Sequence, residues 1–108
     1  MENQQNYIIG KILKIARHAN NITLAAASRF SGVSTIYISE IEQGKKWNVS
    51  EDILTKLGSA YGLKLAQIKD LVTYYESLNV DEDRKFRRTL MKTLEMIDGN
   101  DEPIEEIA

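Results

Sequence analysis

Residues 23–46 read Thr-Leu-Ala-Ala-Ala-Ser-Arg-Phe-Ser-Gly-Val-Ser-Thr-Ile-Tyr-Ile-Ser-Glu-Ile-Glu-Gln-Gly-Lys-Lys. Two short helices joined by a tight turn account for this stretch. Thr23 and Ser34 each stand where a hydroxyl can accept a hydrogen bond from an orphan N–H of a helix's first turn. Gly32 lies between them, where a sharp reversal calls for positive φ. Ile38 and Ile41 share one helical face. Gly44 stops the second helix, and Lys45 and Lys46 follow it. The spacing predicts helices over 23–31 and 34–43.

Outward from this stretch the chain reads as all-α. Tyr7 to Ala19 predicts a first helix, with Ile9, Leu13 and Ala16 inward and Lys11, Lys14 and Arg17 outside. Asn20-Asn21 is a turn, because Asn tolerates left-handed backbone. Lys45 to Val49 is a loop carrying Trp47. Ser50 caps a fourth helix, whose acids Glu51 and Asp52 suit the positive end of its dipole. Ile53, Leu54, Leu57 and Tyr61 line it and Gly62 ends it. A fifth helix runs from about Leu65 to Leu78. After a joint at Asn79-Val80, Asp81 caps a sixth that continues to Asp98, with Phe86, Leu90, Met91, Leu94 and Ile97 as its stripe. These elements divide the chain into residues 1–79, a C-terminal helix at 80–98 and an acidic tail at 99–108, expected to fray.

Composition narrows the classes of function. With 108 residues, 43% hydrophobic and 28% charged, the chain suits one domain with a modest core. No apolar run approaches the ~18 residues of a membrane span. The polar start, Met1 to Asn6, lacks the features of a signal peptide. Without cysteine there is no disulfide framework and no thiolate metal site. A cytoplasmic protein without a cofactor is the expectation. No glycine-rich phosphate loop, metal-ligand spacing or nucleophile with a partnered base is visible, so an enzyme is not expected. The net charge of −2 divides unevenly. Residues 1–79 hold 9 Lys/Arg against 7 Asp/Glu, a net of +2, whereas residues 80–108 hold 5 against 9, a net of −4. Attraction to phosphates depends on local field, and the first part is the mildly basic one.

The two-helix unit is the pattern of a helix-turn-helix, whose second helix can enter the major groove of DNA. Residues 9–71 moreover resemble the lambda-repressor/Cro-type domain, often called the XRE family. The resemblance rests on Thr23, on Gly32-Val33-Ser34 nine residues later, and on Ile38-Ser39-Glu40-Ile41-Glu42-Gln43-Gly44. Ser50, Leu54, Leu57, Gly62 and Leu63 fall where that family's fourth helix and its stop belong. It implies a five-helix lambda-repressor-like fold, here with an additional C-terminal helix. It also implies binding of a double-stranded DNA operator as a dimer, by a small transcriptional regulator expected to repress. The chain departs from the family in three places. Leu24 replaces a Gln that touches backbone or base. Ala27 and Ser28 replace a large and a small residue, so helix two fills less core, with Leu24 or Phe30 compensating. Val49 replaces a loop proline.

Roles for individual residues follow. With Ile38 and Ile41 inward, Thr35, Ile36 and Glu40 are expected to face bases. Thr and Ile methyls suit the thymine methyl, and a Glu accepts from cytosine N4. Gln43 reaches a base or a phosphate. Tyr37, Ser39, Lys45, Lys46, Arg29 and the helix start at Thr23 are expected at phosphates, and Lys11 and Lys14 flank the same strand. Arg17 and Glu42 resemble a pair that the family uses structurally, which would set the angle of the second helix. His18, the only histidine, is expected on the surface. Trp47 caps the core, joins a dimer contact or stacks near DNA. Tyr74 and Tyr75 belong to core and rim. The stripe of the sixth helix is too large for an isolated helix to bury, and a homodimer formed through it is the expectation, with folding back as the other outcome. An alternative function is that of an antitoxin or adaptor whose C-terminal helix meets a protein partner. The cluster Arg84, Lys85, Arg87 and Arg88 reads as a solvated face.

Overall fold

The computed structural model describes residues 3–46, 48–78 and 82–97. They form six helices: α1 Asn3–Ala19, α2 Leu24–Ser31, α3 Thr35–Glu42, α4 Glu51–Tyr61, α5 Leu65–Glu76 and α6 Asp83–Ile97. Among the described residues there is no strand. Trp47, the Asp81 cap and the tail at 99–108 lie outside them.

Helix boundaries follow local hydrogen bonding. Ser50 Oγ accepts from the Ile53 N–H at 3.2 Å and opens α4. Gly62, at φ +85°, closes it through an N–H bond to the Gly58 carbonyl. Asn21, at φ +57°, turns the chain after α1. Asn20 ties that turn to α4 by donating from Nδ2 to the carbonyls of Ala16 at 2.8 Å and Tyr61 at 2.9 Å.

α1 is the central element and packs on α3, α4, α5 and α6, while α2 packs on α3 and α4. That arrangement corrects the expected inner stripe. Ile8 and Ile12 are wholly buried with Leu13 and Ala16, and Ile9 is only half-buried. A helix covered by four neighbours buries more than the one stripe that amphipathic spacing reveals. α1 also starts at Asn3, four residues before the expected Tyr7. The expected compensation by Phe30 does not occur: its side chain is 65% exposed, and Ala27, fully buried, is supplemented by Leu24 at the core's edge.

α6 folds back onto α1 and α5. Phe86 and Leu90 are fully buried and Leu94 nearly so. Tyr75 meets Phe86 edge-on with centroids 4.8 Å apart, and Tyr74 stacks at 6.2 Å. Aromatic pairs at these separations add to plain area burial. Asp83 accepts from Lys11 at 3.0 Å and from Arg87 at 2.9 Å, pinning the start of α6 to α1. Phe86, Leu90 and Leu94 of the apolar stripe expected to serve a homodimer or a protein partner are therefore covered within one chain. Met91, expected in that stripe, is 40% exposed.

Candidate nucleic-acid interface

The turn between α2 and α3 is built from side-chain caps. Thr23 Oγ1 accepts from the Ala26 N–H at 3.0 Å, and Ser34 Oγ accepts from the Tyr37 N–H at 3.1 Å. Both caps have extended backbone, as an N-cap requires. Gly32, at φ +81°, donates its N–H to the Ser28 carbonyl at 2.8 Å. Ser31 adds a lock that the caps alone do not reveal. Its hydroxyl is buried, donates to the Ala27 carbonyl at 2.7 Å and accepts from the Val33 N–H at 3.1 Å. It thus locks the exit of α2 to the entrance of α3. The spacing Ser31-x-Val33 carries this signal only weakly, because a serine in the last turn of a helix is common on any surface.

α3 rests on Ile38 and Ile41, which are 1% and 2% exposed. Its C-terminal end is held electrostatically. Arg17 donates from Nε to Glu42 Oε2 at 2.7 Å and from Nη2 to Oε1 at 3.0 Å, a bidentate pair. A third bond runs from Arg17 Nη1 to the Ile22 carbonyl at 2.8 Å. The two side chains are only 9% and 6% exposed. The hydrogen bond to Glu42 raises the Arg17 pKa further, against the opposing effect of burial. Next to the pair, burial pushes the Tyr61 phenol up to about 12, so it stays neutral. Gly10 lets α1 approach the same end of α3: a Cβ there would collide with the carbonyl oxygens of Ile41 and Glu42.

The opposite side of α3 is open. Thr35, Ile36 and Gln43 are exposed, Ile36 to 70%. Ser39 and Glu40 are half-exposed. Gln43 donates from Nε2 to Ser39 Oγ at 2.9 Å, so the two side chains are joined. Tyr37 lies lower and packs its ring against the core. Lys45 and Arg29 are exposed and make no ion pair among the described residues. Lys46 turns back over α3 and meets Glu40 at 3.1 Å.

The flanking positions divide. Lys14 is exposed, but Lys11 is engaged by Asp83 of α6 and its side chain is only 18% exposed. Lys11 is thus directed at α6 and not free for a phosphate, because α6 lies against the face of α1 that carries it. His18 is exposed, with Nε2 3.3 Å from Arg17 Nη2. Arg87 pairs with Asp83 within α6, and Lys85 pairs with Glu82 just before it.

Residues 8–71 match the helix-turn-helix domain family. The chain belongs to that family. The matched stretch spans α2, α3 and the helices that support them, and covers more than half of the chain. As a helix-turn-helix protein it has the fold expected of a DNA-binding regulator. Among curated proteins it is similar to the glutamine–fructose-6-phosphate aminotransferase [isomerizing] of Methanocaldococcus jannaschii, with 32% identity over 87 residues. That stretch is 81% of this chain but 8% of the aminotransferase. The chain therefore spans only a small part of that relative, and the chemistry in the relative's name stays with the relative. No solved structure matches the chain significantly. Among the described residues, no helix is long and apolar enough to cross a membrane.

Proposed function

We propose that this helix-turn-helix protein is a sequence-specific binder of double-stranded DNA, of the lambda-repressor/Cro type, that acts in the cytoplasm as a small repressor and not as an enzyme. One observation carries the proposal. α3 is anchored from below by Ile38, Ile41 and the Arg17–Glu42 pair, while Thr35, Ile36 and Gln43 stand exposed on its other side. A rigid mount under an exposed polar and methyl-bearing face is what base reading in the major groove requires.

In this reading Thr35, Ile36, Glu40 and Gln43 meet base edges. Arg29, Lys45, Ser39 and the N–H groups behind Thr23 hold phosphates. Tyr37 contributes its hydroxyl at the margin. Lys46 sits between the two groups. A dimeric regulator would place two copies of α3 roughly 34 Å apart on a pseudo-palindrome. Symmetry of the selected operator reports the dimer independently of α6.

Selection from a random duplex library tests the proposal. An enriched, reproducible motif is expected, and binding to it should fall steeply with salt. Glu40→Ala should change which sequence is preferred, whereas Lys45→Ala should weaken all sequences alike. Equal effects of both substitutions on every duplex would refute this division of roles. Absence of binding to any duplex at low salt, with a stoichiometric protein recovered instead, would favour an adaptor.

A further inference from the structure

The last turn of α3 sends the chain back over the helix's own outward face. Gly44, at φ +76°, reverses the backbone, and the Lys45 N–H donates to the Glu40 carbonyl at 2.9 Å. This carries the Lys46 ammonium to 3.1 Å from Glu40 Oε1 and 5.1 Å above the Tyr37 ring. Tyr37 and Glu40, three residues apart, are neighbours on one helical face. Lys46 and Glu40 are each 38% exposed. Glu42 is buried with Arg17, so Glu40 is the one acid on the outward face of α3.

We infer that Lys46 determines specificity by exchange: it neutralises Glu40 in the free protein and is released to a phosphate only when a cytosine amino group takes its place at Glu40. The inference rests on the base-reading role proposed for α3. A carboxylate brought among phosphates needs a donor, and Lys46 supplies one in the absence of DNA. An exposed pair of this kind is weakly held, so a phosphate can compete for the ammonium on its flexible stem. If cytosine N4 donates to Glu40, Lys46 leaves without stranding the carboxylate. With a base that offers no amino group in the major groove, guanine or thymine, Lys46 must stay on Glu40 and its phosphate contact is forfeited. One mismatch therefore removes two contacts, one to a base and one to the backbone. The stacking of Lys46 over Tyr37 keeps the ammonium near Glu40.

Salt dependence exposes the exchange, because each phosphate neutralised adds about 0.9 to the slope of log K against log salt. The probes are the library-selected duplex and a set of duplexes in which the cytosine of each C·G pair of the motif is replaced singly by thymine, which offers Glu40 no amino group. Wild-type protein should show a slope smaller by about 0.9 at one of these positions and equal slopes elsewhere. Lys46→Met should remove the difference by lowering the slope on the selected duplex. Glu40→Ala should remove it in the opposite direction, by raising the slope on the changed duplex, because Lys46 is then free on every sequence. Uniform slopes for the wild type, or the same direction of change in both variants, would overturn the exchange while leaving DNA binding intact. Failure to bind any duplex would instead remove the base-reading role of α3 together with the exchange.

Discussion

Beneath α3, Ile38 and Ile41 are almost wholly buried and Glu42 is held by two hydrogen bonds from Arg17. On its opposite side Thr35 and Ile36 stand in solvent, and among the described residues Glu40 is tied by Lys46, an exposed lysine. Both sides come from eight residues of one helix. The underside is held by dense packing and a desolvated ion pair, where removing any one part strands or exposes another. The outer side is held by interactions that water and salt weaken. A helix fixed on one side and adaptable on the other can present side chains to a ligand without itself moving.

The largest effect expected from disturbing this contrast is at Glu42. Glu42→Ala leaves the Arg17 guanidinium buried without its partner, which should cost about 3–5 kcal/mol in denaturant unfolding. A loss below ~1 kcal/mol would show that the pair is effectively solvated, as exposed pairs are. Gly10→Ala comes next. Its methyl would press on the carbonyls of Ile41 and Glu42, and overpacking of this kind costs about 1–3 kcal/mol. DNA affinity should fall with it, because the shift is transmitted to α3 itself.

A substitution on the outer side should behave in the reverse way. Ile36→Ala should leave the unfolding midpoint nearly unchanged, within about 0.5 kcal/mol. It should nevertheless cost about 1 kcal/mol of discrimination at one base pair, within the range typical of single mismatches. A thermal midpoint that moves as far as the affinity would place Ile36 with the underside.

The smallest expected effect concerns the mount of α6, away from α3. The hydrogen bonds from Lys11 and then Arg87 hold the Asp83 carboxyl below the ordinary aspartate value. The ionised form thus favours the folded protein. Its contribution is complete above the ordinary aspartate pKa and is lost as the pH falls toward the lower native value. Asp83→Asn should therefore lower stability slightly at neutral pH and shallow the loss seen on acidification. An unchanged acid limb in thermal melts would show that this clamp does not support α6.

Legibility in the sequence followed the range of the forces involved. Thr23, Ser34 and Ser50 were readable as caps because a cap acts on backbone two or three residues away. Gly32 and Gly62 were readable because left-handed backbone at a helix end is a local demand. Ile38 and Ile41 were readable from spacing alone. Spacing does not distinguish Ile8 and Ile12 from Ile9, because the choice depends on where four other helices come to lie against α1. The role of Ser31 is hidden for a related reason: its value lies in being buried, and burial is not a property of the tripeptide around it.

Local hydrogen bonding and helical period thus sufficed to set out the helices, the turn at Gly32 and the residues that α3 turns outward. They act between near neighbours in the chain, so a string of residues carries them in full. The partners of Glu40, Lys11 and Phe86 came only with folding. Lys46 reaches Glu40 because a reversed backbone returns it, Asp83 reaches Lys11 across 72 positions, and Phe86 finds Tyr75 and Tyr74 because α6 packs back onto α1 and α5. Such contacts follow from how faces compete for burial across the whole molecule, and that competition is decided in three dimensions.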